Sequence, residues 1–371
     1  MRITAIKPIL TDSYLLVRVY TDTGLIGNGE SGVWPHQETA AQMIHDLSAY
    51  YIGKDPRLID HHYQTVTRNS HFTGAVISSA VSAIDIALWD ILGKSVDLPV
   101  YQLLGGKCRN KIRVFNNIRG GTIEEQVASA KKGVAQGFTS LRTNPFLPEF
   151  EQRESTQVVT EAVDLIAAIR DEIGYGIDLG VEIHRNFLPD EAITLAKALE
   201  PFRLKYYEDP LGPESNDAHD YIARHIDIPM ALGERNFLVA QFSELIHKQI
   251  ASFIRPDFSL CGGLTCGKKI ASIAEPMFVQ LFPHLMGSPV NIAAFAHLAA
   301  AIPNYYVTEL NPHTDAQLCL VKGAFETIDG YREIPDRPGI GVEIDEDACA
   351  ELPFKGREIG GHFHADGSVA L

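Results

Sequence analysis

Apolar and polar positions alternate near the N-terminus in a pattern that predicts a small antiparallel sheet. Two β-branched runs, residues 14–20 and 25–29, are joined by Thr-Asp-Thr-Gly, a sequence typical of a hairpin turn. Apolar residues then recur at helical spacing over residues 39–51 and 74–92, which predicts two helices. A sheet followed by helices indicates an α+β domain, which we place at residues 1–110.

From residue 112 onward the chain repeats a short apolar run, a loop and an amphipathic helix. Eight predicted strands alternate with helices, which predicts a (β/α)₈-type barrel over residues 111–325. A doubly wound sheet is the alternative, but the glycine fingerprint that follows its first strand is missing. Residues 326–371 begin with proline- and glycine-rich sequence, and we expect them to pack back onto the first domain. The predicted strands end near Phe115, Arg142, Ile183, Tyr207, Leu232, Arg255, Phe282 and Thr308.

The formal net charge of −15 disfavours nucleic acid or an anionic membrane as a partner. Five scattered cysteines without a CxxC pair predict reduced thiols in a cytoplasmic protein. The N-terminal residues lack an apolar core, and no stretch approaches about 18 uninterrupted apolar residues, so we expect neither a signal peptide nor a membrane span. An anionic substrate would need local cations or a bound divalent metal to offset the overall charge.

Acidic residues or histidine stand at the ends of six consecutive predicted strands. Successive members are 23 to 27 residues apart, which corresponds to one βα repeat. Barrel enzymes carry catalytic groups at the C-terminal ends of their strands, so all six side chains are predicted to face one mouth. One such residue alone is more often a helix cap or a surface charge, whereas six in succession indicate a site. The six are Glu182, Glu208, Glu234, Asp257, His284 and Glu309.

Three glutamates that converge on one point need a cation, because like charges raise one another's pKa. Glu182, Glu208 and Glu234 offer the oxygen ligands that Mg²⁺ prefers, so we predict one Mg²⁺ in the site. Asp178, four residues before Glu182, is an alternative first ligand. His184 follows Glu182 by two residues and should lie on the same face of the strand, beside the metal.

A carboxylate next to an imidazole makes a general base, because it orients the ring and raises its basicity. Asp257 and His284 end adjacent predicted strands and are our candidates for this pair. An unrelated surface aspartate and a buried histidine remain the alternative for these two residues. For His184 the alternative is a fourth metal ligand or a residue behind the ligands.

The strand-end motifs resemble those of the enolase superfamily, in particular the mandelate racemase-like acid-sugar dehydratases. The resemblance also covers the N-terminal hairpin, the 85–90 helix segment and the Leu-Leu-Gly-Gly-Lys sequence at 103–107, and so nearly the whole chain. It implies a modified barrel of (β/α)₇β form with an N-terminal α+β capping domain that the C-terminal segment completes. The barrel motifs are Val181-Glu-Ile-His-Arg185, Tyr207-Glu-Asp-Pro210, Gly233-Glu-Arg235, Pro256-Asp257 with Cys261-Gly-Gly-Leu-Thr265, Pro283-His284, and Glu309.

The resemblance implies a role for each of these residues. Glu182, Glu208 and Glu234 would bind Mg²⁺ together with the substrate carboxylate. The His284–Asp257 pair would remove the proton α to that carboxylate and give an enediolate, and His184 would protonate the leaving 3-hydroxyl. Glu309 would bond to the substrate carboxylate, and we hypothesise that a raised pKa keeps it protonated. The implied product is a 2-keto-3-deoxy acid, and the family usually forms homo-oligomers.

Departures from the family pattern keep other reactions open. Glu182 stands where the dehydratases commonly have aspartate, so epimerisation or cycloisomerisation of an acid sugar is the second hypothesis. The second strand carries Arg142 in place of the Lys-x-Lys pair of the racemases, which disfavours a lysine base. A non-catalytic scaffold and a phosphate-binding aldolase are weaker alternatives. Candidate substrate contacts are Arg142, Arg235, and Trp34 and His36 in the capping loop 30–36, with loop 69–73 as a second capping loop.

Overall fold

The computed structural model of the protein describes residues 1–358 and 360–370. Its N-terminal part forms the α+β unit that the sequence predicts. Strands β1 (Ile3–Thr11), β2 (Tyr14–Thr21) and β3 (Ile26–Ser31) form an antiparallel sheet in that order. The predicted hairpin and both predicted helices are present, and an additional helix, α2, lies between them. The helices are α1 (Gln37–Tyr51), α2 (Ile59–Asn69), α3 (Ala75–Ser95) and α4 (Val100–Leu103).

The central part of the chain is a parallel barrel, as the sequence predicts. Within the described residues, the first seven strands pair in chain order, and the eighth pairs in parallel with the first. A parallel bridge between Leu281 and Tyr305 links the seventh strand to the residues before the eighth and closes the barrel. The strands are β4 (Lys111–Asn117), β5 (Ser140–Thr143), β6 (Asp178–Glu182), β7 (Tyr206–Glu208), β8 (Met230–Leu232), β9 (Phe253–Ile254), β10 (Gln280–Leu281) and β11 (Thr308–Glu309).

Amphipathic helices connect these strands and cover the barrel. The first begins at the predicted cap, where the Thr122 hydroxyl accepts a hydrogen bond from the backbone N–H of Glu125. β11 is followed directly by the single-turn helix α12 (Asp315–Leu318) in place of a full connecting helix, which fits a (β/α)₇β barrel. The connecting helices are α5 (Ile123–Ala135), α6 (Ser155–Ile173), α7 (Pro189–Leu199), α8 (Asn216–Ala223), α9 (Val239–His247), α10 (Gly263–Ala274) and α11 (Pro289–Ala301).

Aromatic side chains fill the barrel interior below the mouth. Phe282 lies at its centre, with ring centroids 5.2 Å from Phe115 and 4.7 Å from Tyr206. The larger core lies between the strands and the surrounding helices, as is usual for a barrel that is packed rather than open. The polar residues at the strand ends therefore lie directly above a buried layer of aromatic side chains, Phe115, Tyr206 and Phe282, which we call the aromatic floor.

Helix α3 joins the capping unit to the barrel. It is long and apolar enough to cross a membrane, but 72% of its apolar window is buried inside the fold, as in a core helix. Asp85 of α3 accepts hydrogen bonds from the backbone N–H and the hydroxyl of Thr265 in α10. Glu30 of β3 is likewise buried and accepts bonds from the N–H and hydroxyl of Ser288, which follows the predicted base His284. These contacts fix the capping unit over the barrel mouth.

The C-terminal segment contacts both units. Strands β13 (Thr327–Ile328) and β14 (Tyr331–Glu333) form a hairpin, and β14 pairs antiparallel with β4 of the barrel. Farther on, Glu346 at the start of α13 (Glu346–Glu351) pairs with Lys7 and Arg18 of the capping sheet. The remaining strands are β12 (Val321–Lys322) and β15 (Glu343–Ile344), which pair with each other.

Candidate active site at the strand ends of the barrel

A cavity of about 780 Å³ lies between the barrel mouth and the capping loop. This volume is within the range of small-molecule sites. All of the predicted site residues except Glu208 line it, although the chain contributes them from positions more than 270 residues apart. They are Trp34, His36, Arg142, Glu182, His184, Glu234, Arg235, Asp257, His284 and Glu309.

Strand register brings the predicted metal ligands to one edge of the barrel. Glu182 and Glu208 are direct partners in the parallel pair β6–β7. Glu234 follows β8 after Gly233, which has a φ of +121° and would place a Cβ atom only 2.7 Å from the ring of Phe242. Glycine is therefore required at the turn that directs Glu234 into the cavity.

Asp257 and His284 form a buried hydrogen-bonded pair. The Nδ1 atom of His284 lies 2.8 Å from Oδ2 of Asp257, and the other carboxylate oxygen accepts bonds from the N–H and hydroxyl of Ser259. The side chain of Asp257 is only 4% exposed. Because a carboxylate can only accept here, Nδ1 carries the proton and Nε2 is left to face the cavity. Gly32 of the capping loop packs directly against Ser259, so the cap rests on this pair.

The surroundings of His284 favour its protonated form. Burial alone would lower the pKa of the imidazole, but the negative charge of Glu234 and the bond to Asp257 outweigh it and raise the pKa to about 9. The Nε2 atom lies 4.0 Å from Glu234. His284 is therefore a strongly basic group that faces a carboxylate across the cavity.

Ligand atoms of Glu182, His184 and Glu234 lie within 4.8 Å of one another and could hold a metal ion. Glu208 is outside this cluster among the described residues. It is fully buried, and its Oε1 lies 2.8 Å from Arg142 and 2.7 Å from Arg255. Its Oε2 is buried and has no hydrogen-bond partner among the described residues, so this oxygen is available to a cation. Burial raises the pKa of Glu208 to about 8, although both arginines oppose that shift.

Two buried arginines underlie the carboxylates. Arg142 donates through Nη1 to Glu208 and through Nη2 to Glu309, and Nη2 also lies 3.0 Å from Glu182. Its Nε donates to Asn117, so the guanidinium is already engaged rather than free for substrate. The guanidinium of Arg255 lies 4.2 Å from the ring centre of Phe282, on the aromatic floor.

A third arginine, Arg185, bridges Asp209 and Glu234 at 2.7 and 2.6 Å. His184 and Arg185 both adopt left-handed backbone conformations, with φ of 56° and 68°. Such conformations cost about 1–3 kcal/mol each in non-glycine residues and are common at functional sites. This turn exposes His184, whose side chain is 54% exposed, while it directs Arg185 inward.

Glu309 has a lowered pKa in this arrangement, the opposite of the raised pKa that the protonation hypothesis requires. Burial would raise its pKa, but Arg142 and Arg255 outweigh that effect and lower it below the usual value. Its Oε1 accepts hydrogen bonds from Arg142 and Asn117. Glu309 is therefore a hydrogen-bond acceptor here, and its protonation in a site that holds metal and substrate stays a prediction.

Two further candidates lie away from the cavity. Asp178 begins β6, at the opposite end of the strand from Glu182, and pairs with Arg113 and the hydroxyl of Tyr306. It is too far along the strand to share a metal with Glu208 and Glu234. Capping loop 69–73 does not line the cavity, and within the described chain Ala75 is the nearest residue that does.

Several residues of the site are not among those predicted from the sequence. Arg255 could have been found, because it lies two residues before Asp257 and such residues share a face of a strand. Arg185 adjoins a predicted residue but has no pattern that indicates an inward direction. Arg357 comes from the C-terminal segment and gives no local signal at all. The missed residues that line the cavity include Asn117, Arg119, Asn144, Arg185 and Arg357.

Comparison with known families accounts for nearly the whole chain. Residues 2–105 match the N-terminal domain of the mandelate racemase/muconate lactonizing enzyme family, and residues 125–348 match the enolase C-terminal domain-like family. The chain belongs to the enolase superfamily. The resemblance noted from the strand-end motifs is thereby confirmed, as is the modified barrel with a capping domain.

Relatives and solved structures cover the full length. The chain is 33% identical to a D-galactonate dehydratase of Pectobacterium atrosepticum over 95% of this chain and 94% of the relative, and 33% identical to that of Ralstonia pickettii over 100% of both. An enolase from Pantoea ananatis with bound D-gluconate and Mg superposes with a TM-score of 0.92 at 28% identity, covering 100% of this chain and 99% of the other. An enolase from Agrobacterium radiobacter, a candidate galactarate dehydratase with bound Na and L-malate, gives 0.93 at 27% identity over 100% of both.

Proposed function

We propose that this protein is a Mg²⁺-dependent acid-sugar dehydratase that converts its substrate to a 2-keto-3-deoxy acid. The observation that carries the proposal is that His284 and His184 line one cavity together with the carboxylates Glu182 and Glu234. They follow β10 and β6, the seventh and third of eight barrel strands, and so stand across the mouth from each other. A base and an acid on opposite sides of a substrate suit elimination of water.

The donor set fits a divalent metal. Among the groups that pair with one another at the strand ends, six carboxyl side chains face four cationic ones, so this cluster is short of positive charge even when Glu208 is protonated. Glu182, Glu208 and Glu234 would hold Mg²⁺, with His184 beside them. Bound there, Mg²⁺ would supply positive charge to the substrate carboxylate and stabilise the charge that develops on it. The carboxylates are Glu182, Glu208, Asp209, Glu234, Asp257 and Glu309; the cations are Arg142, Arg185, Arg255 and protonated His284.

The two histidines divide the proton transfers. His284 accepts the proton from the carbon α to the carboxylate at Nε2 in its neutral form, which predominates once the charge of Glu234 is offset, and Asp257 stabilises the imidazolium that forms. The resulting enediolate expels the 3-hydroxyl as His184 donates a proton to it, so that water leaves. The enol then tautomerises to the keto acid. Burial and Arg185 lower the pKa of His184, which makes its imidazolium a stronger acid.

The relatives support dehydration over the alternatives that share the first step. Those quoted above are D-galactonate dehydratases, and they match this chain over nearly its full length. Racemisation of the two-base type needs a second base, and no lysine lines the cavity in the described chain. Epimerisation and cycloisomerisation are the outcomes that a test must separate from dehydration.

The test is a screen of acid sugars with Mg²⁺ in D₂O, with keto acid detected as its semicarbazone and isomers detected by NMR. We expect keto acid from at least one acid sugar and no product when EDTA removes the metal. An isomer without keto acid would make the protein an epimerase or cycloisomerase. The absence of any product or α-proton exchange from Mg²⁺-loaded protein would contradict acid-sugar chemistry altogether.

A further inference from the structure

The C-terminal segment has two described stretches, residues 352–358 and 360–364, which we together call the strap. The first is fixed to the capping sheet, where the carbonyl of Leu352 accepts hydrogen bonds from the N–H of Asp12 and the hydroxyl of Thr11, and Lys355 donates its N–H to the carbonyl of Asp12. The second is fixed to the barrel loop after β5, where His362 and His364 contact Glu151 at 2.8 and 2.9 Å. The strap is therefore anchored to both the capping unit and the barrel.

Between these anchors the strap places Arg357 in the cavity wall. The guanidinium lies 4.6 Å from the ring centre of Trp34, the predicted capping contact, and both residues line the cavity. A guanidinium stacked on an indole keeps its edge N–H groups free to bind a carboxylate or phosphate. Arg357 thus extends the substrate site with a residue from outside the barrel and the capping loop.

The charge of the cavity wall is uneven. Its four carboxylates all belong to the strand ends, and each is paired with an arginine or histidine. Three other lining arginines, Arg119, Arg235 and Arg357, form no salt bridge within the described residues. Free cations that line a substrate cavity are unexpected in a protein of net charge −15. They indicate that the ligand brings negative charge beyond the carboxylate at the metal.

We propose that Arg357 is a specificity-determining residue that binds a second anionic group at the far end of the acid sugar. The substrate class is then an acid sugar with an anionic group at each end, either a dicarboxylate or a terminal phosphate ester, rather than one that ends in a neutral hydroxymethyl group; both kinds are called dianions here for their two anionic groups. This inference rests on the proposed function, since the first carboxylate is assigned to the metal end. A bidentate arginine–anion contact explains why an exposed strap carries an arginine over the mouth.

Binding to the Mg²⁺-loaded protein tests this without requiring turnover. The probes are D-gluconate, D-glucarate and 6-phospho-D-gluconate, with galactonate and galactarate as a second configuration, each titrated by calorimetry. We expect at least one dianion to bind about ten- to a hundredfold more tightly than its monoanionic counterpart. In R357Q that preference should disappear through weaker binding of the dianion, with monoanion binding changed less than about twofold. R357K should retain part of the preference.

The matched control is K355Q, which removes a charge from the same strap at a residue that does not line the cavity. K355Q should leave the affinities for the monoanion and the dianion unchanged. An equal loss of dianion affinity in K355Q and R357Q would overturn the proposal, because any positive charge on the strap would then have the same effect as Arg357. Equal binding of both probe classes by wild type, or an unchanged preference in R357Q, would also overturn it while leaving the dehydratase function intact. Failure to bind any acid sugar would instead count against both proposals. Comparison of D-glucarate with 6-phospho-D-gluconate shows whether Arg357 prefers a carboxylate or a phosphate as the second anionic group.

Discussion

Nδ1 of His284 donates a hydrogen bond to Oδ2 of Asp257 over 2.8 Å, inside a wall where Asp257 is almost inaccessible to solvent. This contact determines which nitrogen of the ring carries the proton and which faces the cavity. The two residues end adjacent barrel strands, so the pair depends on the fold rather than on proximity in sequence. The chemistry proposed for this protein begins at the free Nε2 atom.

Replacing Asp257 with Asn should disable the base without removing it. The neutral amide does not stabilise the imidazolium as a carboxylate does, so the pKa of His284 should fall. The tautomer with its proton on Nε2 also becomes accessible, because the amide can donate a hydrogen bond to Nδ1. We expect kcat to fall by about 10²–10⁴-fold, and the acidic limb of the pH profile, where the base becomes protonated, to shift to lower pH. Ser259→Ala is the control, because it removes one hydrogen bond to Asp257 and keeps the carboxylate. A variant with the wild-type pH profile would show that the pair does not set the basicity of His284.

Mg²⁺ binding should release protons. The pKa of His284 is about 9 and that of Glu208 is about 8 in the protein without metal. Both groups therefore hold protons at an assay pH of about 7.5. A cation bound to Glu208 and Glu234 should lower the pKa of Glu208, because it favours the ionised carboxylate. It should also lower the pKa of His284, because it offsets the negative charge of Glu234. Calorimetry in buffers of different ionisation enthalpy should find about one proton or more released per ion, with affinity rising as the pH rises toward 9. Binding without proton release would contradict this assignment.

Two acidic residues of one strand should differ in their effect on the metal. Glu182→Gln removes a charge from the cluster with His184 and Glu234 and should weaken Mg²⁺ binding by about tenfold or more. Asp178→Asn changes a carboxylate of the same strand that pairs with Arg113 at the opposite end, and its Mg²⁺ affinity should equal that of wild type. The reverse order in a calorimetric titration would return Asp178 to the role of first ligand.

The sequence was sufficient to place most of the site and insufficient for its electrostatics. Glu182, Glu234, Asp257 and His284 were predictable because apolar runs of similar spacing end just before each of them. Glu208 was predicted on the same pattern, yet the structure seals it beneath the mouth. Its partners, Arg142 and Arg255, are polar residues within strand ends, and pattern alone does not show which carboxylates they neutralise. The lowered pKa of Glu309 follows from these arginines and could not be read from its position.

Arg142 should stabilise the metal-free protein by separating three carboxylates. Arg142→Gln leaves Glu182, Glu208 and Glu309 without their shared cation, and the loss of a buried ion-pair partner costs about 3–5 kcal/mol. Urea unfolding in EDTA should detect this loss. Mg²⁺ should restore more stability in the variant than it adds to wild type, because it supplies the missing charge.

Arg113→Gln provides the matched control, since Arg113 pairs with Asp178 away from the cavity. Its stability should respond to Mg²⁺ as wild type does. If Arg142→Gln and Arg113→Gln show the same Mg²⁺ response, Arg142 does not act on the metal site.

The most direct measurement follows α-proton exchange and keto-acid formation together in D₂O, using the acid sugar that the wild type turns over. The account predicts that His284→Asn loses both signals, because no base remains to remove the proton. His184→Asn should still exchange the α-proton but form little or no keto acid, because only the departure of water is impaired. Exchange at the wild-type rate in His284→Asn, or normal keto-acid formation in His184→Asn, would contradict the proposed division between the two histidines.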